Sequence, residues 1–114
     1  MSYPNVKIFN STSFNASGTV EYMSVFCKDN TYSVTTNTKW EAESRGVCLL
    51  TKITASIVTP QGTFEATPYT SSGTSYSHFA IMQTGNNEFA VSRVVTSTED
   101  SLPEDYVEPT EDQN

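Results

Sequence analysis

The stretch Val47-Cys-Leu-Leu-Thr-Lys-Ile-Thr-Ala-Ser-Ile-Val58 alternates. One phase reads Val47, Leu49, Thr51, Ile53, Ala55, Ile57, and the opposite phase includes Lys52, Thr54 and Ser56. Successive side chains of an extended strand point to opposite faces, so this pattern describes a long strand with one face toward a core, bulged or bent along its length. It is the expected spine of a sheet. Composition agrees: over residues 1–98, Val, Ile and Thr number 9, 4 and 16, whereas Leu occurs only at 49 and 50. Branching at the β-carbon favours strands over helices, and no helical period survives over a useful window.

Working outward, strands are expected over 6–10, 18–27, 31–36, 63–67, 76–82 and 88–96. They are separated by Lys28-Asp-Asn, Pro60-Gln-Gly, Ser71-Ser-Gly and Thr84-Gly-Asn-Asn, turn-forming clusters of which the last reads most plainly as a hairpin loop. In the strand over 18–27 the first half is half-exposed. The strand ends apolar on both faces, at Val25, Phe26 and Cys27, and its second half is expected to be central. The whole is read as all-β, a single antiparallel β-sandwich of about seven strands.

Charge divides the chain. Residues 99–114 hold Glu99, Asp100, Glu104, Asp105, Glu108, Glu111 and Asp112 without a base, whereas residues 1–98 balance six acids against six bases. The reading is a folded domain over 1–98 and an acidic disordered tail over 99–114, too polar to repay its ordering entropy. A neutral domain lacks the basic surplus that attracts phosphate backbones, so nucleic acid is excluded as an expected partner. No run approaches the roughly 20 apolar residues of a transmembrane helix, and the opening Met1-Ser-Tyr-Pro-Asn-Val-Lys has no basic segment followed by an apolar one. The expectation is a soluble, cytoplasmic chain, in which the acceptor patterns Asn10-Ser-Thr and Asn15-Ala-Ser stay unmodified unless the protein is exported.

Reactive chemistry is sparse. His78 is the sole histidine and follows Ser75 and Ser77 without a nucleophile elbow, so it reads as a packed or edge residue, with a small hydrolase as the weakest alternative. Cys27 and Cys48 read either as buried thiols, as an unexported chain favours, or as a disulfide. With His78 they lack the paired spacing of a metal site. Body carboxylates are scattered, and no phosphate or calcium loop is present. No catalytic residue, metal or cofactor is expected.

Binding is the remaining reading. Residues 67–77, Thr-Pro-Tyr-Thr-Ser-Ser-Gly-Thr-Ser-Tyr-Ser, form either a plain polar loop at the sandwich edge or a contact loop, in which Tyr69 and Tyr76 supply rigid amphipathic area. Trp40 either caps the core or stacks on a ligand, with Arg45 available for a phosphate or carboxylate. Trp40, Arg45, Tyr69 and Tyr76 are therefore the candidate ligand-binding residues.

Gly18-Thr-Val-Glu-Tyr, Phe26-Cys27, Trp40, Arg45-Gly-Val-Cys-Leu-Leu-Thr51 and Ile53-Thr-Ala55 together resemble the small all-β proteins related to aegerolysins, among them nematode proteins upregulated in long-lived insulin-signalling mutants. The resemblance spans about residues 5–96. It implies a β-sandwich, a non-enzymatic role and pairing with a related chain; aegerolysins proper bind sphingolipid-containing membranes. The leading expectation is a non-enzymatic module that contacts a lipid headgroup, glycan or protein. The alternative is a structural protein forming homo- or hetero-oligomers through sheet edges or a sandwich face.

Overall fold

The computed structural model describes residues 2–95, and the acidic segment and the domain boundary at residue 98 lie outside them. Ten strands and no helix are present among the described residues: β1 (Lys7–Asn10), β2 (Asn15–Tyr22), β3 (Asn30–Val34), β4 (Lys39–Glu41), β5 (Leu50–Ile53), β6 (Ser56–Thr59), β7 (Gly62–Glu65), β8 (Tyr69–Thr74), β9 (His78–Gly85) and β10 (Glu88–Arg93). They form a four-stranded sheet in the order β10-β9-β1-β4 and a six-stranded sheet in which β2 has β3 on one edge and both β5 and β6 on the other.

The spine strand exists as two segments on one line. Val20 faces Ile53, Ser17 faces Ser56 and Asn15 faces Val58, which is one unbroken register across the gap at Thr54–Ala55. Gly18 explains the gap. A Cβ there would lie 2.0 Å from the Thr54 carbonyl oxygen, so only glycine admits this close backbone approach. The Tyr32 hydroxyl reaches across to donate to that same oxygen at 2.6 Å. Thr54 also exchanges bonds with Thr19, through its amide at 3.0 Å and its hydroxyl at 2.8 Å.

Three expectations change. The strand count is ten rather than about seven, because the spine is split, β4 is a further three-residue strand, and the Ser/Thr-rich segment contains β8. The sheets are not wholly antiparallel, since β1 and β9 run parallel with Ile8 opposite Phe79. Ser71-Ser-Gly is not a turn but an irregularity within β8, where the register against β5 shifts and Gly73 sits at φ +135. By contrast β9 and β10 form the expected hairpin, with Asn86 and Asn87 between the paired Gly85 and Glu88 and Asn87 in the left-handed region its short polar side chain tolerates.

One core joins the two sheets. Ile8, Phe79, Ile81 and Val91 come from the four-stranded sheet, and Val20, Tyr32, Leu50, Ile53 and Ile57 from the six-stranded one. Along β2 the buried residues Ala16, Val20 and Tyr22 fall on one face with Gly18. At one edge the sheets are tied by backbone: Thr67 donates to Phe89 O at 2.8 Å and accepts from Val91 N at 2.9 Å.

Candidate functional site: a stapled pair of turns

β2 ends at Tyr22, and the apolar run after it leaves the sheet. Met23 N donates to Leu49 O at 2.8 Å, and the chain then turns back, closed by Cys27 N on Ser24 O at 3.1 Å. Ser24 holds φ at +86, and its hydroxyl accepts from Phe26 N at 3.2 Å. The expected central strand over 23–27 is thus a turn, with Val25 and Phe26 at its tip, each 94% exposed. Alternation fails as a guide here because the run is apolar in both phases; this arises for a strand buried on both faces and equally for a tip that faces neither.

A second turn lies alongside. Cys48 N donates to Arg45 O at 2.9 Å, placing Gly46, at φ +56, and Val47, 68% exposed, at its apex. Cys27 and Cys48, the closing residues of the two turns, form a disulfide with Cα atoms 5.9 Å apart. The buried-thiol reading is therefore replaced. Half-exposed Met23 completes the apolar group, its methyl carbon resting where a Cβ on Gly73 would stand.

Behind the turns the site mixes polar and apolar groups. A cleft of about 260 Å³ lies between Tyr22, Phe26, the disulfide, Lys28, Asn30, Glu43, Ser44 and Arg45. The Tyr22 hydroxyl donates to Asn30 Oδ1 at 2.7 Å. Burial raises its pKa above the ordinary phenol value, the nearby Arg45 opposes the rise and Asp29 adds to it. Lys28, Asp29 and Glu43 are exposed, so the rim carries both signs of charge.

The four residues selected from sequence are distributed differently. Arg45 is 6% exposed. Its Nε donates to Pro4 O at 3.0 Å, one terminal nitrogen to Thr74 O at 3.3 Å, and the other to Ser75 O at 2.6 Å and Tyr76 O at 2.9 Å. That guanidinium braces the base of the second turn against backbone carbonyls. Tyr76 is brought to Arg45 through its carbonyl, and its ring carries the Arg93 guanidinium 3.2 Å above its centroid. Trp40 lies on β4 opposite Ile8 and packs across the sheets on Tyr32, ring centroids 5.3 Å apart. Tyr69, on β8, packs on Phe79 at 4.8 Å. Trp40 and Tyr69 join the core and do not meet at one surface.

Ser77 lies 3.1 Å from His78 Nδ1, but its side chain is fully buried and so is not presented to a substrate. No cluster of His, Cys, Asp and Glu suited to a metal ion occurs among the described residues, and no described helix is long and apolar enough to cross a membrane. Val25, Phe26 and Val47 are the site residues that sequence reasoning missed; the signal that could have found them is that Cys27 and Cys48 each directly follow an apolar residue, Phe26 and Val47. No protein-family model, no curated protein and no solved structure matches the chain.

Proposed function

We propose that the protein is a non-enzymatic binding module, its two sheets the layers of a β-sandwich, and that its contact surface is the stapled turn pair, which enters the interfacial region of a lipid membrane. The observation that carries this reading is the exposure of Val25 and Phe26 at 94% each, at turn positions that ordinarily hold Gly, Asn, Asp or Pro. Holding them there is costly. Ser24 occupies a backbone region that a non-glycine residue adopts at about 1–3 kcal/mol, and the disulfide and the Met23–Leu49 bond fix the tip against collapse onto the body.

The tip is convex and narrow, which suits a soft bilayer boundary better than a flat protein face. Burying Phe26 with Val25 and Val47 provides roughly 5 kcal/mol before orientation costs, the scale of a weak, reversible attachment. The neighbouring cleft, with Lys28 and Glu43 on its walls, offers both signs of charge to a headgroup.

Flotation with phosphatidylcholine vesicles tests the reading. The wild-type chain is expected to rise with the vesicles, and the Val25→Ser/Phe26→Ser variant, altered only at exposed positions, is expected to fold normally and stay behind. Equal behaviour of the two, or no flotation of the wild type, overturns it. A dimer by light scattering that the same variant dissolves assigns the turn pair instead to self-association.

A further inference from the structure

Two acceptor patterns for N-linked sugar, Asn10-Ser-Thr and Asn15-Ala-Ser, lie within 8 residues of one another, and the fold treats them oppositely. Asn10 is 0% exposed. Its amide nitrogen donates to Phe14 O at 2.7 Å and Val34 O at 3.2 Å, and its oxygen accepts from the Thr12 amide at 3.0 Å and the Thr12 hydroxyl at 2.7 Å. A sugar on that nitrogen is incompatible with the loop between β1 and β2. Asn15 opens β2 with its side chain exposed and no hydrogen bond to another described residue, and Ser17, the hydroxyl residue of the pattern, is exposed on the same face. Its cross-strand neighbour is Val58, 57% exposed, an apolar surface against which a first sugar ring can rest.

The Cys27–Cys48 disulfide is the second, independent observation. Disulfides persist in oxidising compartments and are rare in the cytosol, and the secretory route that forms them is also where this acceptor pattern is modified. We infer that the protein passes through an oxidising, exporting compartment and carries an N-linked glycan at Asn15. In the transfer, the Asn15 amide nitrogen bonds to the anomeric carbon of a lipid-pyrophosphate-linked oligosaccharide. The bond from that carbon to the pyrophosphate oxygen breaks, the lipid pyrophosphate leaves with the electron pair, and one amide proton passes to a base of the transferase.

The position is compatible with the turn pair acting as a contact surface. Asn15 and Tyr22 stand at opposite ends of β2, about 23 Å apart at the usual strand rise, so the glycan extends from the end remote from Val25 and Phe26.

The test is the intact mass of the protein isolated from its own source, before and after peptide-N-glycosidase digestion. One glycan is expected, and its removal should leave aspartate at position 15. In a glycosylating secretion host behind a cleavable leader, Asn15→Gln and Ser17→Ala should each abolish the mass increment while thermal unfolding stays cooperative. An unglycosylated protein from its source, a glycan mapped to Asn10, or one that persists in Asn15→Gln overturns the inference.

Discussion

Arg45 holds three segments together with one side chain: the carbonyls of Pro4, Thr74, Ser75 and Tyr76 converge on its guanidinium beneath the second turn. Removing it leaves buried acceptors without donors, at about 1–3 kcal/mol for each group left unsatisfied. Arg45→Ala is therefore expected to lower the free energy of urea unfolding by about 3 kcal/mol or more. Arg45→Lys should recover little, because an ammonium cannot reproduce the planar fork that reaches carbonyls in several directions. A lysine variant that unfolds at the wild-type urea concentration shows that the fork is not what holds the segments. The sequence made this arginine visible but not its role. Arg45 ahead of a Gly-containing turn looks the same whether it faces a ligand phosphate or backbone carbonyls, because the carbonyls of Pro4, Thr74, Ser75 and Tyr76 come from positions 29 to 41 residues away.

Among elements, the strand pattern bounded by turn residues located strands: β1, β3, β7, β9 and β10 fall within or close to their expected spans, and the spine keeps one register through its break. It failed where both phases looked alike. Val25 to Cys27 is apolar in both and proved to be part of a turn; residues 69–74 are Ser/Thr-rich in both and proved to be a strand, recruited by pairing with β5. The β2–β3 pair also sets an alkaline limit on stability. Burial pushes the Tyr32 hydroxyl well above the usual phenol range, where it donates to Thr54 O over Gly18. Below about pH 10, the unperturbed phenol value, folded and unfolded chains both keep the proton and the contribution is complete. Above it the unfolded chain releases a proton that the folded chain retains, so stability falls by about 1.4 kcal/mol per pH unit until the raised folded value is reached. Unfolding free energies between about pH 9 and 11 should decline more steeply for the wild type than for Tyr32→Phe, which is weaker at neutral pH but lacks this titration. Equal slopes would place the alkaline loss on another tyrosine.

At the scale of the whole molecule the charge division bears on which membranes the turn pair can meet. The last described residues leave β10 alongside the start of β9: Val94 N donates to His78 O at 2.8 Å, two residues along from Tyr76, whose carbonyl Arg45 holds. The seven carboxylates of residues 99–114 follow in the chain, and residues 1–98, with six acids against six bases, have nothing to offset them. A membrane contact made by the turn pair is opposed at an anionic surface by the charge of that segment alone. A chain ending at residue 98 is accordingly expected to float with phosphatidylserine-rich vesicles more than the full chain does at low ionic strength. The gap should close as salt shortens the Debye length from about 10 Å at 0.1 M toward about 3 Å at 1 M. With phosphatidylcholine vesicles the two chains should behave alike, because insertion of the tip is insensitive to screening. Equal binding to anionic vesicles at low salt would sever the acidic segment from the turn pair, and loss of cooperative unfolding on truncation would show that the folded unit extends past residue 98.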